Sequence, residues 1–199
     1  MDFLEGIVYL LFFVLVGLSA YYFYEKSGFQ LKCIVSGVNG NQYCVRERHR
    51  LDEAANLLAK TTDKCKQLVT YLKEKHGDDA RVQRLVERFR PDKIGETLPT
   101  SSYTAYSENK GEAIKFCLNQ VKENNDNLID EHTLMFVALH EMSHVFTVSI
   151  GHKTEFWDNF KWLLERAKDC GVHEPIDYSK EGGREYCGMK INSNPFYNR

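Results

Sequence analysis

Proline is scarce in this sequence, with 4 residues among 199, and no tract is of low complexity. That speaks against a disordered or linker-like chain. No internal repeat is present, which excludes a repeat array. The six cysteines, Cys33, Cys44, Cys65, Cys117, Cys170 and Cys187, form no C-x-x-C pair, which argues against a cysteine zinc knuckle. An excess of charge is missing too. The formal net charge is -2, and the only charges before residue 25 are Asp2 and Glu5, so the remainder is close to neutral. Residues up to about 110 are mildly basic and the rest mildly acidic. Nucleic-acid binders carry a strong basic face, so the balance speaks for no nucleic acid among the partners.

What is present suits a packed domain: 43% hydrophobic and 13% aromatic residues. The length admits a membrane anchor and one domain of about 170 residues. Ile7 to Tyr24 is almost wholly apolar. With Phe3 and Leu4 it reaches about 20 residues, enough to cross a bilayer as a helix. Tyr21, Tyr22, Phe23 and Tyr24 suit an interfacial aromatic belt. A cleaved signal peptide would want a basic start, a shorter apolar core and small residues at a cleavage site. Here the start is acidic and the run ends in tyrosines. The expectation is therefore an uncleaved transmembrane anchor over residues 1–25, touching lipid through residues 3–24, and a folded domain over residues 26–199. Lys26, Lys32, Arg46, Arg48 and Arg50 follow the span and no Lys or Arg precedes it. By the positive-inside rule the domain faces the cytosol. Cytosolic placement predicts free, mostly buried thiols; the rival reading is a Cys33–Cys44 bridge across a hairpin.

After the anchor, Phe29–Val35 and Gln42–Arg48 flank Gly37-Val38-Asn39-Gly40-Asn41, a strong hairpin signal. Leu51, Ala54, Leu58, Cys65, Leu68 and Leu72 recur at helical spacing, predicting a long helix ending near Gly77. A second helix runs from Asp78 to Phe89 and stops at Pro91. Lys93–Lys110 is rich in Thr and Ser and reads as a loop, either a rim over an active site or an exposed connector. Ala113–Leu118 reads as a strand, the candidate edge beside the helix that follows. Glu123–Asp126 is a polar turn, and Asp130 can cap a helix starting near Glu131. The tail holds turns at Cys170-Gly171 and Glu181-Gly182-Gly183 and a short strand within Arg184–Ile191. The fold class is α+β: a transmembrane helix, then a mainly helical domain with a small antiparallel sheet.

The chemistry concentrates in His140-Glu141-Met142-Ser143-His144. On a helix, residues four apart share a face, so His140 and His144 can bind one Zn²⁺. Glu141 lies one step round, where it can hold and deprotonate a water polarised by the metal. His152 is the natural third ligand, and three protein ligands with one open position define a catalytic zinc site. The bare pattern also occurs by chance in unrelated helices. Here it is embedded in Leu134–Leu139 and Val145-Phe146, and two histidines and a glutamate are costly on so apolar a helix unless paired or metal-bound. Beyond His152, Phe156, Trp157, Phe160, Leu163 and Leu164 recur at helical spacing from Thr154 to Ala167.

His140-Glu141-x-x-His144 followed by Gly151-His152-x-x-Glu155-Phe156-Trp157 resembles the core of the SprT-like and WLM-type zinc metallopeptidases, an arrangement associated with proteins of large DNA viruses. The resemblance covers residues 130–170, with weaker echoes in Tyr43-Cys44-Val45-Arg46 and Tyr186-Cys187-Gly188-Met189. It implies a zincin-like domain, Zn²⁺ as cofactor, His140, His144 and His152 as ligands and Glu141 as general base. The sequence departs from the family in the seven residues between His144 and His152, more than its typical members have. Val145–Gly151 must form an extra half-turn or a loop. Glu155 is the alternative third ligand, since another zincin branch uses a glutamate there.

Two functions follow. The first is a membrane-anchored zinc metallopeptidase acting on a protein or peptide. The second is a structural membrane-anchored protein of a virus particle that keeps a zincin-like fold and contacts neighbouring virion proteins. Tyr178 and Tyr186 are candidates to stabilise an oxyanion, with packing as the plainer role. His132 reads as a solvated or capping residue, and His49, His76 and His173 as surface residues.

Overall fold

The computed structural model describes residues 3–26, 31–122 and 127–197. The chain divides into two compact units, Met1–Gln30 and Leu31–Arg199. The first holds helix α1, Phe3–Lys26. Its stretch Glu5–Phe23 has a mean hydropathy of 2.1, long and apolar enough to cross a membrane. A signal sequence near the N-terminus can also be long and apolar enough for this.

The second unit begins with the expected hairpin. Strands β1 (Leu31–Val35) and β2 (Gln42–Arg46) pair antiparallel, with Cys33 opposite Cys44. Helix α2, Leu51–His76, follows and buries Ala54, Leu58, Cys65, Leu68 and Leu72 along one stripe. Helix α3, Ala80–Arg88, is capped by Asp79, whose side chain accepts from the Arg81 N–H. A 3-10 turn at Pro91–Lys93 leads into a three-stranded sheet.

That sheet corrects three expectations. Lys93–Lys110 is not one loop. It contributes β3, Ile94–Glu96, and β4, Ala105–Glu108. The strand β5, Ala113–Phe116, forms where expected, but it is the centre and not the edge. The order is β3-β5-β4, with β3 parallel and β4 antiparallel to β5. The mixed pairing also corrects the expectation of a purely antiparallel sheet. β5 is the most apolar of the three, so it takes the position flanked on both sides. The more polar β4 is left at the rim. The polar turn assigned to Glu123–Asp126 lies outside the described residues.

Helix α4, Glu131–Phe146, starts where Asp130 accepts from the Thr133 N–H and hydroxyl. It is apolar nearly all round, and Leu134, Met135, Leu139, Met142, Val145 and Phe146 are fully buried. A helix with that pattern belongs inside a core, and each such side chain contributes roughly 1.5–3 kcal/mol by leaving water. α4 packs on α2, α3, β4 and helix α5, Thr154–Asp169. The tail forms a hairpin of β6 (Arg184–Tyr186) and β7 (Met189–Ile191), two strands where one was expected.

Four cysteines are paired, against the expectation of free thiols. Cys33–Cys44 staples the first hairpin and Cys117–Cys187 ties the end of β5 to the turn between β6 and β7. Cys65 and Cys170 are free. Structural disulfides form and persist in oxidising compartments.

A buried ionic knot joins the first hairpin to the sheet. The Arg46 side chain donates to the Thr97 and Leu98 carbonyls and the Thr97 hydroxyl. Its backbone N–H donates to Glu96, and Arg48 pairs with the same carboxylate and with Asn119. Arg46, Arg48 and Glu96 have no exposed side-chain surface. Charges so deep are tolerated only when paired and fully hydrogen-bonded.

Candidate metal centre

α4 places His140 and His144 one turn apart, both on the side facing α5 and β4. Helix geometry ends at Phe146, and Thr147 closes it by donating its N–H to Ser143 O. The spacer that follows is a loop rather than an added half-turn of helix. It doubles back so that His152 Nε2 lies 3.0 Å from His140 Nε2 and 3.1 Å from His144 Nε2. Gly151, at φ +79°, takes a left-handed conformation just before His152, which suits a residue without Cβ.

The loop is held from several sides. Lys110 Nζ donates to three successive carbonyls, Thr147, Val148 and Ser149, at 2.7, 2.9 and 2.8 Å. The Glu155 carboxylate accepts the Val148 and Ser149 N–H groups, both at 3.2 Å. Trp157 Nε1 donates to His152 O at 3.1 Å. Phe156 is fully buried beneath the imidazoles, with its ring centroid 4.4 Å from that of His144 and 4.9 Å from that of His140. Glu155 is therefore engaged with the loop backbone, and His152 is the group turned toward the other two histidines. Lys110 itself could not be singled out from the sequence. It sits in a turn where Asn109, Lys110 and Gly111 all have positive φ. A Cβ on Gly111 would stand 2.9 Å from Arg88 O.

The three imidazoles fit a metal ion. Their ring nitrogens all lie within 4.8 Å of one another. Three imidazole nitrogens around one tetrahedral zinc, at about 2.0–2.1 Å from it, stand roughly 3.3 Å apart. Burial pushes the His140 imidazole down to about 3 and that of His144 to about 4, and lowers that of His152. All three are neutral at physiological pH, the state a metal requires. Neutral imidazoles that point their nitrogens at one spot crowd their lone pairs, and a bound cation relieves this.

Glu141 is 5% exposed, and burial raises its carboxyl to about 8. It accepts the Ser107 backbone N–H from β4. Thr104 O bonds inward to Cys117 N on β5. By strand alternation Ala105 and Ser107 turn their backbone groups the other way, toward α4. β4 thus borders a groove of about 840 Å³ whose floor includes His140, Glu141, His144 and His152 and whose rim includes Ile150 and Met189. Tyr186 is buried and donates its hydroxyl to Thr104 O at 3.0 Å, and Tyr178 is fully buried. Both pack. His132 bonds Glu174 O and stays outside the cluster, and His49 is exposed. His173 corrects the sequence reading: it is 4% exposed, with its ring against His132 and Phe136.

No family model matches the chain. Protein R325 of Acanthamoeba polyphaga mimivirus, described as uncharacterized, is 27% identical over 184 residues, 89% of this chain and 92% of its own length. The uncharacterized protein 136R of Invertebrate iridescent virus 6 is 35% identical over 74 residues, 37% of this chain and 40% of its own. Both are virus proteins. Among solved structures, Wss1 from Saccharomyces cerevisiae superposes with a TM-score of 0.47 at 17% identity, over 63% of this chain and 84% of that one.

Proposed function

We propose that the chain is a membrane-anchored, zinc-dependent peptidase, with Zn²⁺ held by His140, His144 and His152 and Glu141 as general base. The supporting observation is the meeting of three imidazoles and one buried carboxyl group in a groove bordered by the edge strand β4. Zinc in such a site supplies Lewis acidity to a carbonyl and acidity to a water. Ala105 and Ser107 present backbone groups with which an extended peptide can pair as an added strand. A cation held by the three imidazoles would favour the ionised form of Glu141 beside it, the form that a general base needs. Glu141 then takes a proton from the attacking water and passes it to the leaving nitrogen. Its burial favours the protonated form after that first transfer. Phe156 beneath the imidazoles keeps bulk water from the inner side of the site.

The second reading, a structural virion protein, has the viral origin of the relatives in its favour. An open groove over Glu141 favours the peptidase, since a tether has no use for one. Metal analysis and peptide hydrolysis on the wild type and Glu141→Gln decide between them. The expected result is one zinc per chain in both proteins and hydrolysis in the wild type alone. A wild type that binds zinc yet cuts no member of a broad peptide pool would support the structural role.

A further inference from the structure

The groove continues past the end of β4. Asn109 and Lys110, which line it beyond Ser107, also line a neighbouring hollow of about 280 Å³. The rest of that hollow is Arg88, the last residue of α3, with Arg90, Lys93 and Glu112. Four cations thus stand against one carboxylate, in a chain whose formal net charge is -2. From this placement we infer that the hollow is an acidic-residue subsite. It takes the carboxylate of an aspartate or glutamate in a polypeptide laid along β4, about three residues from the cut. The inference rests on the peptidase reading for the cut and on the hollow alone for its ligand.

Three observations carry it. The first is how the hollow is built. Gly111 has φ +114°, and a Cβ there would stand 2.9 Å from Arg88 O and 3.1 Å from Arg88 Cβ. The turn between β4 and β5 therefore lies directly against the end of α3. Backbone packing, and not a mobile surface, brings Lys110 beside Arg88. Arg90 is held there too, donating through one nitrogen to Glu87 O and Phe89 O at 2.6 and 3.2 Å.

The second is that these cations lack anions. Among the described residues the Arg88 guanidinium has no hydrogen-bond or ion-pair partner. Lys93 reaches Asp92 only at 3.7 Å, and Glu112 accepts from Asn109 Nδ2 at 2.6 Å. Burial lowers the Lys110 ammonium, and the charges of Arg84 and Arg88 lower it further, against Glu155. A carboxylate in the hollow relieves that repulsion. Lys110 already gives its protons to three loop carbonyls, so it supplies charge. Arg88, Arg90 and Lys93 supply the hydrogen bonds.

The third is reach. Asn109 is two positions beyond Ser107, whose N–H meets Glu141, and a strand advances about 3.3 Å per residue. A peptide extended along β4 with its scissile bond over Glu141 brings a side chain to the hollow about three residues away. A nucleic acid suits the place less. Glu112 lines the hollow, and Asp92 and Glu108 adjoin its lining residues in the chain. A row of phosphates would meet these carboxylates, whereas a single side chain slips between them. A strand edge also pairs with peptide backbone and not with a phosphodiester.

The test has two arms. In the first, the metal-free full chain in neutral detergent carries ¹⁵N-arginine. It is titrated with a capped decapeptide holding two glutamates, with its glutamine twin, and with a single-stranded DNA decamer. The glutamate peptide should shift the Arg88 and Arg90 side-chain signals and bind about 10-fold more tightly than its twin, the sum of several partly exposed charge pairs. That ratio should shrink toward one as salt rises to about 0.5 M, and Arg88→Gln combined with Arg90→Gln should abolish it. Equal affinities in the wild type, or a ratio that salt and the double variant leave unchanged, would overturn the inference whether or not the chain binds zinc. Tighter binding of the DNA through the same signals would overturn it too. In the second arm, the zinc-loaded chain is given a peptide pool and the cut sites are sequenced. Aspartate or glutamate should be about 10-fold enriched over asparagine or glutamine at one fixed position, about three residues from the cut and on one side only. The double variant should erase the enrichment and leave the cutting of neutral peptides unchanged. Cleavage without acidic preference refutes the subsite and leaves the peptidase standing. Selective binding without any cleavage leaves the hollow standing and refutes the peptidase.

Discussion

Lys110 and Glu155 grip the same stretch of backbone by its two opposite poles. The ammonium takes the Thr147, Val148 and Ser149 carbonyls, and the carboxylate takes the Val148 and Ser149 N–H groups. Between them they immobilise the spacer that returns the chain to His152. A loop of seven residues would otherwise sample many conformations, and each ordered residue costs roughly 1–2 kcal/mol of backbone entropy. The third imidazole is thus held by residues that touch no metal.

Lys110→Met should weaken zinc binding about 10–100-fold, the usual effect of losing a group that orients a ligand. Lys110→Arg should recover part of it. Chelator competition measures both, and calorimetric melting of the metal-free chains separates loop disorder from global unfolding. An unchanged zinc affinity in Lys110→Met would show that the spacer needs no such support.

His140→Ala or His144→Ala should abolish zinc binding, and His152→Ala should do nearly the same. Glu155→Gln should behave differently. It keeps all three imidazoles and weakens only the hold on Val148 and Ser149, so the loss should stay within about tenfold. Isothermal titration with zinc compares them. A larger loss in Glu155→Gln than in His152→Ala would make Glu155 the ligand.

Replacing Cys117 and Cys187 together by serine should destabilise the domain by about 4 kcal/mol, because the bridge closes a loop of 70 residues in the unfolded chain. In melting temperature this is roughly 10 °C. Replacing the free Cys170 should shift it little. Comparable melting of the double serine variant and the wild type under oxidising conditions would show that the bridge does not form.

His173 gives a pH signature away from the metal. Burial drives its imidazole down to about 3, helped by His132 on α4 and Lys64 on α2, and neither ring nitrogen has a partner among the described residues. An exposed imidazole titrates near 6.5. The folded value lies below the unfolded one, so protonation opposes folding. Stability is complete above about pH 6.5 and falls as the pH drops toward 3, by up to about 1.4 kcal/mol per unit. His173→Phe should flatten that part of the curve relative to the wild type in urea titrations at pH 7, 5 and 4. Parallel curves would mean that His173 is solvated.

The sequence disclosed what rests on local pattern. The stripes of Leu58, Leu68 and Leu72 and of Phe156, Phe160 and Leu163, the Asp130 cap and the Asn39-Gly40 turn each act within a few residues, so their elements lie where periodicity puts them. The histidines were legible because His140 and His144 share a helix face and Gly151 marks the return to His152. What stayed hidden depends on distant partners. β4 is Ala-Tyr-Ser-Glu, without strand character of its own, and forms because β5 offers it an edge. Cys117 meets Cys187 across 70 residues that no spacing rule connects. His173 looks like a surface residue until α4 brings Phe136 and His132 against it. Arg46 and Arg48 read as flanking positive charge, yet the fold buries both around Glu96.

The Cys117–Cys187 bridge has a topological effect beyond its strength. It closes a covalent ring, and His140, Glu141, His144 and His152 all lie on that ring. A single backbone cut within it, at the exposed Val148 or Ile150 or in the turn around Gly182, leaves two pieces joined by sulfur, with α4 and α5 still packed together. A peptidase of the kind proposed would live among copies of itself able to nick it. In this chain one such nick separates no ligand from the others: the damaged molecule runs as one species on a gel without reductant and as two with it.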